Sequence, residues 1–240
     1  MASHQVELLR QEVVAEGTMA FYFTKPPAFL HQAGQSILVT LVAPPETDGQ
    51  GNSRTFTIAS APHEPELMVA TRMRDTAFKR VLKSASPGTK IALDGPNGEM
   101  LLHADPTRPA ALLAGGIGIT PFLAMARHAA RERLAHRLFL FYSNRRPEDA
   151  AFLAELKALE TANPNYRLVA TMTERGKSAQ SWSGETGFIR REMLERYLPD
   201  LIVPIYYFAG PPAMTMAMQQ MLEDCGLGDE SMRYEEFYGY

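Results

Sequence analysis

The hydrophobic pattern of this 240-residue chain changes near residue 105, and this change limits the folds that the chain can adopt. Before that point, short runs rich in β-branched and aromatic residues, at 19–23, 36–42 and 66–71, are separated by proline and glycine turns. One helix is predicted among them, at residues 76–82. Closely spaced strands with a single helix are typical of a small closed barrel.

After residue 108, apolar strand-like runs alternate with helical segments. The runs lie at residues 110–114, 138–142, 167–172 and 205–209, and the predicted helices at 121–134, 147–159, 190–197 and 213–224. This alternation predicts a parallel sheet with helices on both faces. We therefore expect an antiparallel β-barrel domain at residues 1–105, followed by an α/β parallel-sheet domain at residues 106–240.

Composition excludes several classes of function. Lysine and arginine total 24 against 27 acidic residues, and a net charge of −3 implies no general attraction to nucleic acid. No apolar run is long enough for a membrane span, and the N-terminus lacks the layout of a secretion signal. The single cysteine, Cys225, excludes an intramolecular disulfide and a four-cysteine iron–sulfur cluster, and it favours a reducing, cytoplasmic location. The six histidines show no ligand spacing, so we expect no metal.

The strongest local signal is a strand that runs into a glycine turn and then a helix. Gly115, Gly116 and Gly118 follow the apolar run, and Thr120-Pro121 opens the helix. Glycines let the backbone approach a pyrophosphate, and a helix N-terminus favours an anion. A plain glycine turn is the alternative interpretation. Gly210-Pro211 leaves the last predicted strand in the same way, which predicts one crevice at the carboxyl ends of both strands.

A third signal lies in the barrel half, at residues 54–60. Arg54 offers a guanidinium for a bidentate phosphate contact, and Phe56 offers a ring. Thr55 and Thr57 add hydroxyls, and alternate residues of a strand share a face. Taken alone, this run also fits an ordinary edge strand rich in β-favouring residues.

These signals occur in a definite order along the chain. Arg54-Thr55-Phe56-Thr57 is followed by the Gly95-Pro96-Asn97-Gly98 turn, then by the glycine turn at 115–121 and by Ala209-Gly210-Pro211. In this order they resemble the ferredoxin–NADP reductase superfamily of FAD-dependent NAD(P)H reductases, over roughly residues 6–221. The resemblance implies an FAD-binding antiparallel barrel followed by a nucleotide-binding α/β domain.

The resemblance also implies which residues hold FAD. Those expected to contact it are Arg54, Thr55, Phe56, Thr57, Ser60, Thr71, Met73 and Thr76. In the family, the arginine pairs with the pyrophosphate, and the hydroxyl residue hydrogen-bonds near flavin N5, which receives hydride. Thr57 is the matching hydroxyl here. Some members fold a C-terminal aromatic residue over the flavin, a role expected for Phe237 or Tyr240. The alternative is that the aromatic tail packs on the barrel or on a second subunit.

For NAD(P)H, the resemblance implies a second set of contacts. The expected residues are Gly115, Gly116, Gly118, Thr120, Pro121, Ser143, Arg145, Arg146, Thr173, Gly210, Pro211 and Met214. Thr120 would lie near the nicotinamide, and with Thr57 and Phe237 it completes the expected catalytic set. Arg145 and Arg146 could bind the 2′-phosphate of NADPH. The alternative is that they lie in a solvated loop. Ala209 stands where the family often has cysteine.

The implied activity is an electron relay from NAD(P)H through FAD to a separate acceptor. A chain of 240 residues with one cysteine leaves no room for an attached iron–sulfur or haem domain, so we expect the acceptor to be another molecule. It would be a ferredoxin, a haem protein, free flavin or a quinone. Two alternatives are an NAD(P)H:flavin reductase that releases reduced flavin and a non-catalytic nucleotide-binding subunit.

Overall fold

The structure, a computed structural model, describes residues 3–238 and divides into two sheets. The first is antiparallel, with strands β1 (Ser3–Ala15), β2 (Thr18–Thr24), β3 (Ser36–Leu41), β4 (Ser53–Thr57), β5 (Glu66–Arg72) and β6 (Lys90–Asn97). They lie in the order β4-β3-β6-β1-β2-β5. Beyond the end of β4, the Ala59 N–H donates to the Met68 carbonyl at 2.7 Å, which brings the two edges of the sheet together. The predicted antiparallel barrel is confirmed.

The helix α1 (Ala77–Ser84) connects β5 to β6 and covers one end of the barrel. Thr76 caps it, because its side-chain oxygen accepts from the Lys79 N–H at 3.4 Å. Phe78 and Leu82 are buried against the barrel core, four residues apart on one face of the helix. The N-terminus of α1 is thereby fixed beside β4 and β5.

The second sheet is parallel throughout. Its strands are β7 (Ala110–Gly115), β8 (Leu138–Asn144), β9 (Tyr166–Met172), β10 (Glu185–Thr186), β11 (Ile205–Gly210) and β12 (Met232–Glu236). Its helices are α2 (Thr120–Glu132), α3 (Leu153–Ala162), α4 (Arg191–Tyr197) and α5 (Pro212–Asp224). The strand order is β10-β9-β8-β7-β11-β12, so the winding direction reverses between β7 and β11. Ligands bind at such a reversal, beyond the carboxyl ends of the strands.

Strand β7 shows why helices cover both faces of this sheet. All of its residues are buried. Leu112 packs into a cluster with α2, whereas Leu113 packs on the other side with α4 and α5. A strand buried on both faces needs a continuous apolar run, which the sequence supplies.

The prediction for the third helix is wrong at its start. α3 begins at Leu153, not at residue 147, because residues 147–149 form a single 3₁₀ turn. The Arg146 guanidinium donates to the Asp149 carboxylate at 3.0 and 2.8 Å and closes this turn. Phe152 then adopts a left-handed conformation with φ of 59°, which interrupts any helix continuing from the turn.

A buried polar network joins the two sheets through the connecting segment 98–109, which contains the predicted boundary at residue 105. The Tyr207 hydroxyl accepts from the His103 backbone N–H and from Arg233, both at 2.8 Å. Its own hydrogen is left for Nδ1 of His103, 2.9 Å away, so Nε2–H donates to the Arg108 carbonyl at 2.9 Å. Burial lowers the pKa of His103, in keeping with this neutral ring.

Two further expectations concern location. Within residues 3–238, no helix combines the length and apolar character needed to cross a membrane. Cys225 is a free, half-buried thiol.

Candidate functional site

A cavity of about 970 Å³ lies at the carboxyl ends of β7 and β11, where the strand order reverses. Its lining includes Gly115, Gly116 and Pro211 from the two strand-to-helix turns. The turns touch each other, because a Cβ on Gly210 would lie 3.2 Å from Cα of Gly115. The structure therefore brings the two glycine turns into one crevice, as the sequence pattern indicates.

The glycines of the first turn serve different physical purposes. A Cβ on Gly118 would overlap the Ala209 carbonyl oxygen, and one on Gly115 would overlap the Met214 sulfur, so both allow close packing. Gly116 is different. It lines the cavity with φ of 54°, and a Cβ there would meet no atom within 4 Å. Gly116 thus leaves free space beside an exposed stretch of backbone.

Arginines dominate the charge of this cavity. Those that line it are Arg72, Arg74, Arg145, Arg190 and Arg191, against the acidic residues Asp149 and Glu192. Arg191 pairs with Glu195 at 2.7 Å, and Arg72 lies 3.9 Å from Asp149. The other three arginines have no ion-pair partner among residues 3–238. A cavity with unpaired guanidinium groups suits an anionic ligand.

Apolar side chains also line this cavity. Phe188, in the loop between β10 and α4, is 66% exposed although it lines the cavity. Ile189 and the α5 residues Met214, Ala217 and Met221 line it as well. Aromatic and methionine side chains of this kind pack against the flat face of a planar ring.

The structure places the residues predicted for NAD(P)H in three environments. Those that line this cavity are Gly115, Gly116, Ser143, Arg145, Thr173, Pro211 and Met214. Gly118, Gly210 and Pro121 are buried in the turns beside it. Arg146 does not line it, because its guanidinium is held by Glu16, Glu148 and Asp149 at 3.1, 3.3 and 2.8 Å.

A second cavity, of about 660 Å³, lies between the barrel and the parallel sheet. Six of the residues predicted for FAD line it: Arg54, Thr55, Phe56, Thr57, Thr71 and Thr76. Met73 lines the first cavity instead. Ser60 lines neither, because its side chain is buried and its hydroxyl accepts from the Met68 N–H at 2.9 Å. Arg74 and Ile117 line both cavities, so the two adjoin there.

The N-terminus of α1 carries an internal anion. The Asp48 carboxylate accepts from the Ala77 N–H and from the Gln50 N–H, both at 2.9 Å. It also lies 3.6 Å from the Arg54 guanidinium. These hydrogen bonds to Ala77 and Gln50 hold the pKa of Asp48 below its usual range. A negative charge is therefore stabilised at the N-terminus of α1.

Three cationic side chains line the barrel cavity: Arg54, Arg74 and Lys79. Arg54 also donates to the carbonyls of Gln50 and Gly51, at 2.8 and 3.2 Å. Lys79 is largely buried and donates to the Arg72 carbonyl at 2.7 Å. Burial, together with the neighbouring charges of Arg74 and Arg54, lowers the pKa of Lys79 to about 8. An anionic ligand would relieve this crowding of positive charge.

The C-terminal segment closes the barrel cavity from the side of the parallel sheet. Thr120, predicted to lie near a nicotinamide, lines this cavity, and its hydroxyl donates to the Ile117 carbonyl at 3.2 Å. Glu235, Glu236, Phe237 and Tyr238 line it as well. The Phe237 N–H donates to the Gly210 carbonyl at 3.0 Å. Tyr240, the alternative to Phe237 as a covering aromatic residue, lies outside the described residues.

Glu235 differs from the neighbouring carboxylate, Glu236. Its side chain has no hydrogen-bond or ion-pair partner within the described part of the chain. Burial raises its pKa. Glu236, by contrast, accepts from the Thr215 hydroxyl at 3.1 Å and from the Tyr238 hydroxyl.

Sequence reasoning missed several lining residues. In the barrel cavity these are Ser36, Gln50, Lys79 and Tyr238, and in the other cavity they include Phe188, Ile189, Arg190, Arg191 and Glu192. The one usable signal is the short Gly187-Phe188-Ile189 run before α4, in which an aromatic residue follows a glycine in a loop.

Comparisons with known proteins agree with this geometry. The model of the oxidoreductase NAD-binding domain family matches residues 112–220. A glycine betaine monooxygenase reductase subunit from Chromohalobacter salexigens is 28% identical over 241 residues, which cover 98% of this chain and 64% of that protein. The chain therefore spans less than two thirds of this relative's length.

Solved structures show the same fold over the whole chain. A ferredoxin NADP⁺ reductase from Neisseria gonorrhoeae, with bound FAD and NADP, superposes with a TM-score of 0.80 at 20% identity and covers 98% of both chains. An Amycolatopsis cytochrome P450 reductase superposes with a TM-score of 0.82 at 19% identity, covering 98% of this chain and 70% of the other. A barrel followed by a parallel α/β sheet is thus an architecture shared with reductases of this kind.

Proposed function

We propose that this chain is a flavin-dependent oxidoreductase of the ferredoxin–NADP reductase superfamily. It passes electrons from NAD(P)H through FAD to a separate acceptor, a ferredoxin or a haem-type redox protein. The observation that carries the proposal is the meeting of the two cavities at Arg74 and Ile117. Two cofactors that exchange a hydride must be held side by side, and these cavities adjoin.

The barrel cavity fits FAD by the chemistry of its donors. Its lining includes the guanidinium groups of Arg54 and Arg74 and the Lys79 ammonium, which suit a pyrophosphate. It also includes Phe56 and Thr57, whose ring and hydroxyl suit a flat ring system with polar edges. The Asp48 carboxylate at the N-terminus of α1 is an anion already bound where a phosphate would be favoured.

The cavity of the parallel sheet fits a nicotinamide dinucleotide. Gly116 leaves space that a Cβ would fill, so a pyrophosphate can approach the backbone of the turn. Arg74, Arg145 and Arg190 supply positive charge and form no ion pair within residues 3–238. Phe188 and the methionines of α5 supply the apolar surface that a base or a nicotinamide ring needs.

The chain positions the reacting groups and controls a proton. When bound, FAD supplies the hydride and electron chemistry that no side chain can perform. Thr57 and Thr120 offer hydroxyls toward the space between the sheets. Glu235, whose pKa is raised by burial, retains a proton to a higher pH than an exposed carboxyl and can donate it there. Phe237 covers this space and keeps water out, so a nicotinamide must displace it.

We also propose a cytoplasmic location for the protein, since a reducing compartment keeps the Cys225 thiol free. The acceptor is held by neither cavity and meets the protein from outside. NADPH and NADH are both accommodated by the proposal, because Arg145 alone faces the cavity while Arg146 is engaged by three acidic residues.

The deciding experiment is the visible spectrum of the purified protein, followed by anaerobic addition of NADPH and NADH separately. We expect flavin absorbance at about 450 nm that is bleached by at least one nucleotide. FAD should remain bound through gel filtration, and its loss there would favour a flavin reductase that releases its product. A colourless protein that binds no added FAD would overturn the proposal.

A further inference from the structure

Three potential metal ligands converge outside both cavities, on the side of the molecule where the barrel meets α2. They are His63, His128 and Glu132, and one ligand atom of each lies within 4.8 Å of the other two. His63 belongs to the loop between β4 and β5, whereas the other two lie on α2. The cluster therefore contains ligands from both halves of the chain.

The loop that carries His63 is held firmly in place. Residues 61–64 form a turn in which the Glu64 N–H donates to the Ala61 carbonyl at 3.0 Å. The Glu64 side chain accepts from the Ala61 N–H at 2.7 Å and from Arg127 of α2 at 3.3 Å. The Lys25 ammonium donates to the Pro62 carbonyl at 2.5 Å. Both flanks of His63 are thus fixed, so little order has to be gained on binding.

The two ligands from α2 are one helical turn apart on the same face. His128 and Glu132 have the i, i+4 spacing that places side chains next to each other. The His128 Nδ1 atom is buried and has no hydrogen-bond partner within residues 3–238. Glu132 has no ion-pair partner in that part of the chain either. Both side chains therefore retain capacity for a further bond.

Arg127, five residues before Glu132 on α2, does not compete for its carboxylate. Its guanidinium is bound by Glu155 at 2.5 Å and by Glu64 at 3.3 Å. The carboxylate of Glu132 is left to balance the charge of an incoming cation.

We propose that His63, His128 and Glu132 bind a divalent transition-metal ion of the Zn²⁺ class. Two imidazoles and one carboxylate suit Zn²⁺, whereas Ca²⁺ and Mg²⁺ prefer oxygen ligands alone. Bonds of the usual length would bring the ligand atoms to about 3.4 Å from one another. Rotation of the exposed His63 and Glu132 side chains closes the remaining gap. Solvent completes the coordination, since His63 and Glu132 are on the surface.

The position of the site gives the ion a structural consequence. It would connect the 61–64 turn of the barrel to the last turn of α2. The first turn of α2 borders the barrel cavity at Thr120. A ligand that binds only the folded state stabilises that state by mass action. The ion thus clamps the two halves together at a point remote from both nucleotides.

The test is calorimetric titration of ZnCl₂ into tag-free, chelator-treated full-length protein, followed by thermal unfolding with and without Zn²⁺. We expect one equivalent to bind and the melting temperature to rise. His63→Ala and Glu132→Gln, both at exposed positions, should each weaken binding at least about tenfold and remove the thermal shift. Because both variants change surface side chains, they should fold.

Two control variants separate this site from adventitious binding. Cys225→Ser removes the free thiol, the other soft ligand, and Arg131→Ala changes an exposed neighbour on the same turn of α2. Both should bind Zn²⁺ as the wild type does. The proposal is overturned if the wild type shows no saturable binding, or if His63→Ala binds Zn²⁺ as tightly as the wild type.

Discussion

The two cavities recognise their ligands in different ways. The barrel cavity is lined by side chains on β4, β5 and α1, and one of its cations, Arg54, already lies 3.6 Å from the Asp48 carboxylate. The cavity of the parallel sheet is built around the bare backbone of Gly116, and three of its arginines have no ion-pair partner among the described residues. Removing side chains should therefore damage the first cavity, whereas adding one should damage the second.

The largest effect is expected from Gly116→Val. The new side chain would occupy the space beside the turn, and the left-handed conformation would add about 1–2 kcal/mol of strain. We expect NAD(P)H affinity to fall by more than about 100-fold, since more than 2.7 kcal/mol of binding is lost. FAD content should stay the same. Stopped-flow reduction of the flavin at increasing NAD(P)H measures the affinity.

Gly17→Val is the matched control for backbone strain. Gly17 has φ of 66°, and a Cβ there would also meet no atom within 4 Å, but it lines neither cavity. It should lose comparable stability and bind NAD(P)H normally. Normal NAD(P)H affinity in Gly116→Val would remove the glycine turn from the nucleotide site.

The second effect is expected from Arg54→Ala in the barrel cavity. Loss of a charge-assisted phosphate contact costs roughly 1.5–3 kcal/mol, so FAD affinity should fall about 10- to 150-fold. NAD(P)H binding to flavin-loaded protein should change little. Fluorescence titration of apoprotein with FAD measures the affinity. Arg80→Ala is the control. Arg80 lies on α1, but it pairs with Glu46 and Asp75 and does not line the cavity. Equal FAD affinity in both variants would remove Arg54 from the site.

The difference between the cavities also explains how much the sequence could predict. The glycine turns follow from local pattern, because a buried strand, glycines and a helix-opening proline determine the backbone together. The direction of a side chain is harder to predict from the sequence. Arg145 and Arg146 are adjacent, yet one lines the cavity and the other binds Glu16, which lies 130 residues away. Likewise, the alternation of side chains between the two faces of β4 ends with the strand at Thr57. It therefore could not predict the direction of the Ser60 side chain.

Long-range contacts account for what the sequence could not predict. Phe188 reaches its cavity only because β10 pairs with β9. The metal-ligand cluster was overlooked because His63 lies 65 residues before His128, and His128 with Glu132 alone is a common surface pair. The fold itself depends on repeated local patterns, so it could be predicted in advance.

Acidic pH should destabilise the barrel through His31. Burial lowers the pKa of His31 to about 4, below the unfolded value of 6.5. The folded state therefore favours the neutral ring, and stability that is present above pH 6.5 is lost as the pH falls toward 4. At pH 5 the loss is about 2 kcal/mol. Urea unfolding at pH 7 and pH 5 measures it. His31→Gln, which cannot titrate, should show a smaller loss; an identical loss would assign the acid sensitivity to other groups, including His103.

The smallest effect is expected from removing the Asp48 carboxylate, which lies at the N-terminus of α1 beside Arg54. Asp48→Ala frees the Ala77 N–H and the Arg54 guanidinium, so FAD phosphates would no longer compete with a carboxylate. We expect FAD to bind severalfold more tightly, while the apoprotein loses about 0.5–1 kcal/mol because α1 loses an acceptor at its N-terminus. Asp48→Asn keeps an acceptor but removes the charge, so it should restore most of the stability and keep the tighter binding. If FAD instead binds more weakly to both variants, Asp48 supports the bound cofactor. The contrast between Arg54, which already has an acidic partner, and the unpartnered arginines of the other cavity then fails.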